Sequence, residues 1–157
     1  MRHTISVLVE NKFGVLARIA GLFSARGYNI ASLAVSETLD SAISYMTIVV
    51  EAKDENVLEQ IKKQLNKLID VITVTDFTKK EHLDREMVLL KVDCSAKDKA
   101  RLEKLLDKFV GKLVQCKSGT AIIEAVGDQS QIKQLLEALD EFGIKELIRT
   151  GRIALAY

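Results

Sequence analysis

Glu10 to Ile30 reads ENKFGVLARIAGLFSARGYNI: a polar loop around Asn11 and Gly14, an amphipathic run, and a second turn at Arg26-Gly27-Tyr28-Asn29. Val15, Leu16, Ile19, Leu22 and Phe23 recur at helical spacing. One face of this helix therefore belongs to a core, while Arg18 and Arg26 fall towards solvent. The loop before it runs into a helix N-terminus. Unpaired backbone N–H groups and the helix dipole make such a place a site for a small carboxylate or phosphate.

Outward from this stretch the apolar pattern changes period several times. Thr4 to Glu10 alternates, with Ile5, Val7 and Val9 on one side, as a half-buried strand does. Ile30 to Glu37 and Ile43 to Ala52 read as two strands joined by a turn at Leu39-Asp40-Ser41, and they are expected to pair as a hairpin. Val57, Leu58, Ile61, Leu65 and Leu68 return to helical spacing behind Asp54, a natural N-cap. Asp70 to Thr78 alternates again, which completes a βαββαβ order.

Lys79 to Arg85, KKEHLDR, is the one markedly polar stretch between apolar runs, and the same order then recurs. Glu86 to Cys94 reads as a strand and Asp98 to Val110 as a helix. Lys112 to Lys117 and Thr120 to Val126 form a hairpin about Ser118-Gly119. Gln131 to Phe142 is a helix stopped by Gly143, and Ile144 to Tyr157 supplies one or two strands. The expected architecture is α+β: two tandem ferredoxin-like βαββαβ units, each an antiparallel sheet with helices on one face. The boundaries are drawn at 1–78 for the first unit, 79–85 for a linker and 86–157 for the second. An edge strand in such a unit offers unpaired backbone groups to a second copy.

Composition narrows the function. Of 157 residues, 48% are hydrophobic, enough for a real core, and the formal net charge of +1 provides no global field for nucleic acid or an anionic membrane. No apolar run reaches the length of a membrane-spanning helix, and the N-terminus lacks a signal-peptide pattern, so a soluble cytoplasmic protein is expected. Cys94 and Cys116 lie in apolar runs at a spacing that matches no zinc site. They read as structural thiols, with no reason to expect a disulfide.

Material for catalysis is sparse. The two histidines, His3 and His82, stand at the chain start and in the polar stretch, and neither GxSxG, HExxH, a DxDxDG loop nor a phosphate-binding GxxxxGK[ST] loop occurs. Acidic residues cluster beside lysines on helix faces, as solvated surfaces do. What remains is the loop at Asn11 and Gly14 with its companion turn at Asn29. On one reading Gly14 merely permits a tight turn and the asparagines cap backbone groups. On the other, amides after Gly14 hold a carboxylate, Asn11 and Asn29 offer oxygens to an ammonium group, and Val15, Ile30 and Val35 supply aliphatic walls. A free amino acid with a small branched side chain has those complementary parts.

The run VLVENKFGVLARIAGLFSARGYNIASLAVSET resembles the N-terminal ACT domain of the small, regulatory subunits of acetolactate synthase, also called acetohydroxyacid synthase. The family's pattern appears at Glu10, Asn11, Gly14, Leu16, Arg18, Gly21 to Phe23, Arg26 to Ile30, Ser32 and Leu33. MTIVV, VLEQIKKQLNKLIDVITV and REMVLLKV extend the resemblance over nearly the whole chain. It implies a non-catalytic subunit that binds a large catalytic subunit, activates it, and confers feedback inhibition by valine or another branched-chain amino acid. Thiamine diphosphate, magnesium and FAD are then expected on the catalytic subunit only, with no cofactor or metal here. It further implies a homodimer or higher homo-oligomer with the effector between copies, held by Asn11, Gly14, Val15, Asn29, Ile30 and Val35. Phe13 and Tyr45 depart from the family, many of whose members have a small residue and an arginine at those places. The alternatives are a stand-alone amino-acid sensor serving another enzyme or a transcription regulator, and an ordinary enzyme on a ferredoxin-like scaffold.

Overall fold

The computed structural model describes residues 2–157. The strand and helix order is β1 (Arg2–Glu10), α1 (Val15–Ala25), β2 (Asn29–Glu37), β3 (Ile43–Glu51), α2 (Glu55–Leu65) and β4 (Val71–Asp76). It continues with β5 (His82–Asp93), α3 (Lys99–Leu106), β6 (Gly111–Lys117), β7 (Thr120–Gly127), α4 (Gln129–Leu139), a single 3₁₀ turn (Asp140–Phe142), β8 (Ile144–Arg149) and β9 (Ile153–Ala156). The predicted βαββαβ order thus occurs twice, as two antiparallel sheets ordered β2-β3-β1-β4 and β6-β7-β5-β8. In both, the first strand lies inside the sheet between strands that do not follow it directly in the chain.

The alternation in β1 sorts its side chains between the two faces of the first sheet. Ile5, Val7 and Val9 are fully buried against α1 and α2, which contribute Ile19, Leu22, Phe23, Leu58, Ile61 and Leu65. Register carries the pattern across the sheet, with Ile5 opposite Ile48, and Val7 opposite Met46 on one side and Val74 on the other. In the second sheet Val88, Leu90 and Val92 of β5 take the same place beneath Leu102, Leu106, Ile132, Leu135 and Leu139. Burial of one such side chain contributes about 1.5–3 kcal/mol, so these faces decide which way each helix lies. Among the described residues no helix is long and apolar enough to cross a membrane.

The compact units depart from the sequence boundaries in two places. The first unit comprises the chain up to Leu83 together with Arg152–Tyr157, and the second is Asp84–Gly151. The expected linker, 79–85, is partly strand, since β5 begins at His82. The final segment, assigned by sequence to 86–157, instead covers the helix-free face of the first sheet. Arg152 N–H donates to Ser32 Oγ (3.0 Å), Arg152 Nη1 to Thr4 Oγ1 (3.1 Å), and Tyr45 Oη to Ala154 O (2.8 Å). Thr4, Ser6 and Thr47, which point to that face, are buried. Hydroxyls and small side chains there can bond a passing backbone, and that is the reason a short polar-and-apolar tail such as RIALAY docks on it.

Helix starts follow sequence closely at α2 and α4. Asp54 accepts from Val57 N–H at 3.0 Å, and Asp128 and Gln131 form a reciprocal capping box with both bonds at 2.9 Å. The Gln131 amide holds the Asp128 carboxyl below its ordinary value, against a smaller opposing effect of burial. A depressed folded value means that the contribution is present above the unfolded aspartate value, ~3.9, and is lost as pH falls through the folded one. The stability gap between wild type and Asp128→Ala, measured by urea unfolding, is therefore expected to be widest near neutral pH and to narrow in acid. A gap independent of pH would contradict this role for the carboxylate.

Candidate functional site

The loop between β1 and α1 is pinned on both flanks. Asn11 N–H donates to Ala42 O (2.7 Å) and Asn11 Nδ2 to Ser41 O (2.8 Å), which ties the loop to the β2–β3 turn. On the other flank Glu10 N–H donates to Asp70 O at 2.9 Å, and Arg18 pairs with the Asp70 carboxylate. The Asn11 amide is therefore committed as a donor, and its Oδ1 is the oxygen left to accept. Lys12 Nζ bonds Glu10 Oε2 at 2.6 Å, and chiefly through that bond the ammonium titrates above its ordinary value. This carboxylate balances the one cation within the loop.

Gly14 stands at the N-cap of α1 with φ +83° and ψ −7°, the left-handed conformation that L residues disfavour. It has no side chain to cap the helix, and no acidic residue occupies the first turn. Arg18 N–H reaches Gly14 O at 2.9 Å and Val15 N–H bends back to Lys12 O at 3.3 Å. The Leu16 and Ala17 N–H groups have no acceptor among the described residues. Where α2 and α4 receive an aspartate, α1 thus ends in unanswered donors and the positive end of its dipole. A Cβ built on Gly14 would meet nothing within 4 Å, so the approach is open. The arrangement can hold the oxygens of a carboxylate without any metal. Among the described residues no group of three or more His, Cys, Asp or Glu is placed to bind one.

The six expected site residues do not meet within one chain. Asn11, Gly14 and Val15 sit at the end of the sheet where Glu10 pairs with Ile43, whereas Asn29 pairs with Glu51 at the other end. At about 3.3 Å per residue the run from 43 to 51 puts them about 26 Å apart. Asn29 Nδ2 donates to Glu51 Oε2 (3.1 Å), beside Arg2 Nε on Glu51 Oε1 (3.3 Å), and these bonds, Asn29 first, hold the Glu51 carboxyl below its ordinary value. Ile30 packs on the core beside Asn29. Val35, opposite Met46, lies on the helix side nearer the Asn11 end and is 40% exposed. Val15 is only 3% exposed, so its side chain is core rather than an aliphatic wall at the loop. Sequence spacing says nothing about which end of a strand a turn occupies, which is why a pocket within one chain was a possible reading.

Several features of this end were not legible beforehand. Arg18 is exposed, as read, but it also pairs with Asp70, and Phe13 stands fully exposed on the loop. The departure at Tyr45 has a plain structural use, because its side chain points to the opposite face and bonds Ala154. Tyr45 therefore leaves the loop untouched within its own chain. The alternating pattern of β3 carries the signal for this, since Tyr45 is out of phase with Met46 and Ile48, which are both buried in the core.

Residues 5–73 match the family model described as the AHAS small subunit-like ACT domain, and residues 85–157 match that of the small subunit of acetolactate synthase. The chain is 44% identical over 155 residues to a probable acetolactate synthase small subunit of Archaeoglobus fulgidus, covering 99% of this chain and 96% of that one. It is also 44% identical to the acetolactate synthase small subunit of Aquifex aeolicus, over 98% of this chain and 80% of the other. The crystal structure of the small subunit from Thermotoga maritima superimposes with a TM-score of 0.88 at 35% identity, covering 100% and 98% of the two chains. With sequence shared along its whole length, and with the fold of both units, this chain belongs to the family of acetolactate synthase small subunits, which are regulatory rather than catalytic.

Proposed function

We propose that this subunit activates the catalytic subunit of acetolactate synthase and makes it sensitive to valine or another branched-chain amino acid bound between two copies of the first unit. The observation that carries the reading is the uncapped N-terminus of α1, open at Gly14 and adjacent to the spare oxygen of Asn11. Asn29 enters through symmetry. β2 is an edge strand with β3 on one flank only. If two copies pair β2 against β2 antiparallel about Leu33, Asn29 of one falls opposite Glu37 of the other, since 29 and 37 are equidistant from 33. Asn29 and Ile30 of the second copy then arrive at the end that carries Asn11 and Gly14.

Each part of the ligand has a counterpart in such a shared pocket. The carboxylate takes the Leu16 and Ala17 amides, the ammonium takes oxygens of Asn11 and Asn29, and the aliphatic branch lies against Ile30 and Val35. Selection among valine, leucine and isoleucine turns on about one methylene, ~1–3 kcal/mol, and Phe13 is the exposed loop residue whose bulk bears on it. Because two chains build the pocket, occupancy is coupled to their placement, and a bound catalytic subunit alters effector affinity by the same factor. Residues 1–78 act here as the sensor, and the half from 86 onward serves assembly or transmission. The holoenzyme's thiamine diphosphate, magnesium and FAD stay with the catalytic subunit, and the complex works in the cytoplasm.

Mixing the purified chain with its catalytic subunit is expected to give a stable complex and a rise in acetolactate formation; absence of both would reject the regulatory role for this partner. Gly14→Asp places a carboxylate where the ligand's should lie and is expected to weaken valine binding about a hundredfold, ~2.7 kcal/mol, by calorimetry. Gly14→Ala, which carries the backbone strain without the charge, is the control, and undiminished binding by the aspartate variant would dispose of the pocket. A mixed-chain experiment tests the sharing directly. Asn11→Ala and Asn29→Ala homodimers should each bind poorly, whereas dimers combining one chain of each regain one intact site of two. No recovery on mixing would return the site to a single chain.

A further inference from the structure

The second unit holds a pair of thiols that its sequence spacing conceals. Cys94 lies just beyond β5, where its N–H donates to Gly119 O at 2.9 Å, and Cys116 lies on β6 opposite Ala121 of β7. Both are free, and their Sγ atoms are 3.5 Å apart, within hydrogen-bond reach for sulfur. β7 separates the two strands, and the residue it sets opposite Cys116, Ala121, is fully buried and carries only a methyl group. Cys94 is 2% exposed and Cys116 is half-buried, so a small reagent meets Cys116 first. Burial raises the Cys94 thiol to about 11, which reserves the outer sulfur for the first attack at neutral pH.

We propose that Cys94 and Cys116 form a reversible redox-modification site, closing into an intrachain disulfide when a low-molecular-weight disulfide such as oxidised glutathione acts as oxidant. Cys116, as thiolate, attacks one sulfur of the oxidant, forming a mixed disulfide and releasing one thiol. Cys94 loses its proton to solvent and attacks the Cys116 sulfur, which expels the second small thiol and leaves the protein S–S bond. Two protein thiols are oxidised and one small disulfide is reduced to two thiols. Closure requires the sulfurs to approach from 3.5 Å to about 2.05 Å and, because β7 lies between the two strands, the backbones at Cys94 and Cys116 to draw together at this end of the sheet. Its product ties the edge strand β6 to the end of β5, across β7.

The test incubates the full-length chain in glutathione buffers of graded oxidation, alkylates it, and maps the thiols by mass spectrometry. The expected result is loss of both thiols without retained glutathione, a Cys94–Cys116 linked peptide, and full recovery with dithiothreitol. Cys94→Ser should instead accumulate glutathione on Cys116, and Cys116→Ser should lose its remaining thiol at least about tenfold more slowly than wild type loses its first, as a buried thiol does. Two thiols persisting in the most oxidising buffer, glutathione retained on wild-type Cys116, or a bond between chains on a non-reducing gel would each overturn the proposal. Peptide mapping of the wild type decides the question even where a serine variant folds poorly.

Discussion

Everything in the first unit hangs on β1 turning only one of its two buried faces, the apolar one, towards helices. Ile5, Val7 and Val9 need helices over them, and those helices come from the connections before β2 and before β4. Once both crossovers lie on the same side, β1 is interior, β3 and β4 flank it, and β2 is left on an edge. The opposite face carries Thr4 and Ser6, buried beneath a segment that bonds to hydroxyls rather than packing as a helix would. The same constraint repeats at Val88, Leu90 and Val92 of β5.

That arrangement places the uncapped N-terminus of α1 at one end of the sheet and the turn at Asn29 at the other. A loop following β1 must emerge beside the β2–β3 turn, while the turn following α1 must return to the far end, one strand length away. Asn11 and Asn29 are therefore separated by construction within a chain, and the proposed two-fold axis through the edge of β2 would bring them together. Such an axis also satisfies backbone groups that an edge strand leaves unpaired. Sensing and association would then be one physical event.

The N-terminus of α1 lacks the side-chain cap that α2 and α4 carry. A side-chain cap is worth about 1 kcal/mol, and α2 and α4 both have one. At α1 the cap is replaced by a left-handed glycine and open amides, a local sacrifice of stability that makes sense where a ligand supplies the missing acceptor. The Asn11 bonds to Ser41 and Ala42 hold the loop in place without filling the site.

Both βαββαβ orders, the helix faces, the cap at Asp54 and the special loop at Asn11 and Gly14 were all legible in the sequence, because each rests on residue spacing or on short-range hydrogen bonding; the capping box at Asp128 emerged only in the structure. The run from Glu10 to Leu33 also carries enough of the family pattern to identify its relatives. Long-range choices were decided only in three dimensions. The return of Arg152–Tyr157 to the first sheet, the Arg18–Asp70 pair and the meeting of Cys94 with Cys116 each join residues far apart in the chain. So does the separation of Asn11 from Asn29, which follows from strand direction and register rather than from any local preference. Local periodicity states which face a residue occupies; only the assembled sheet states which end, and whose neighbour it becomes.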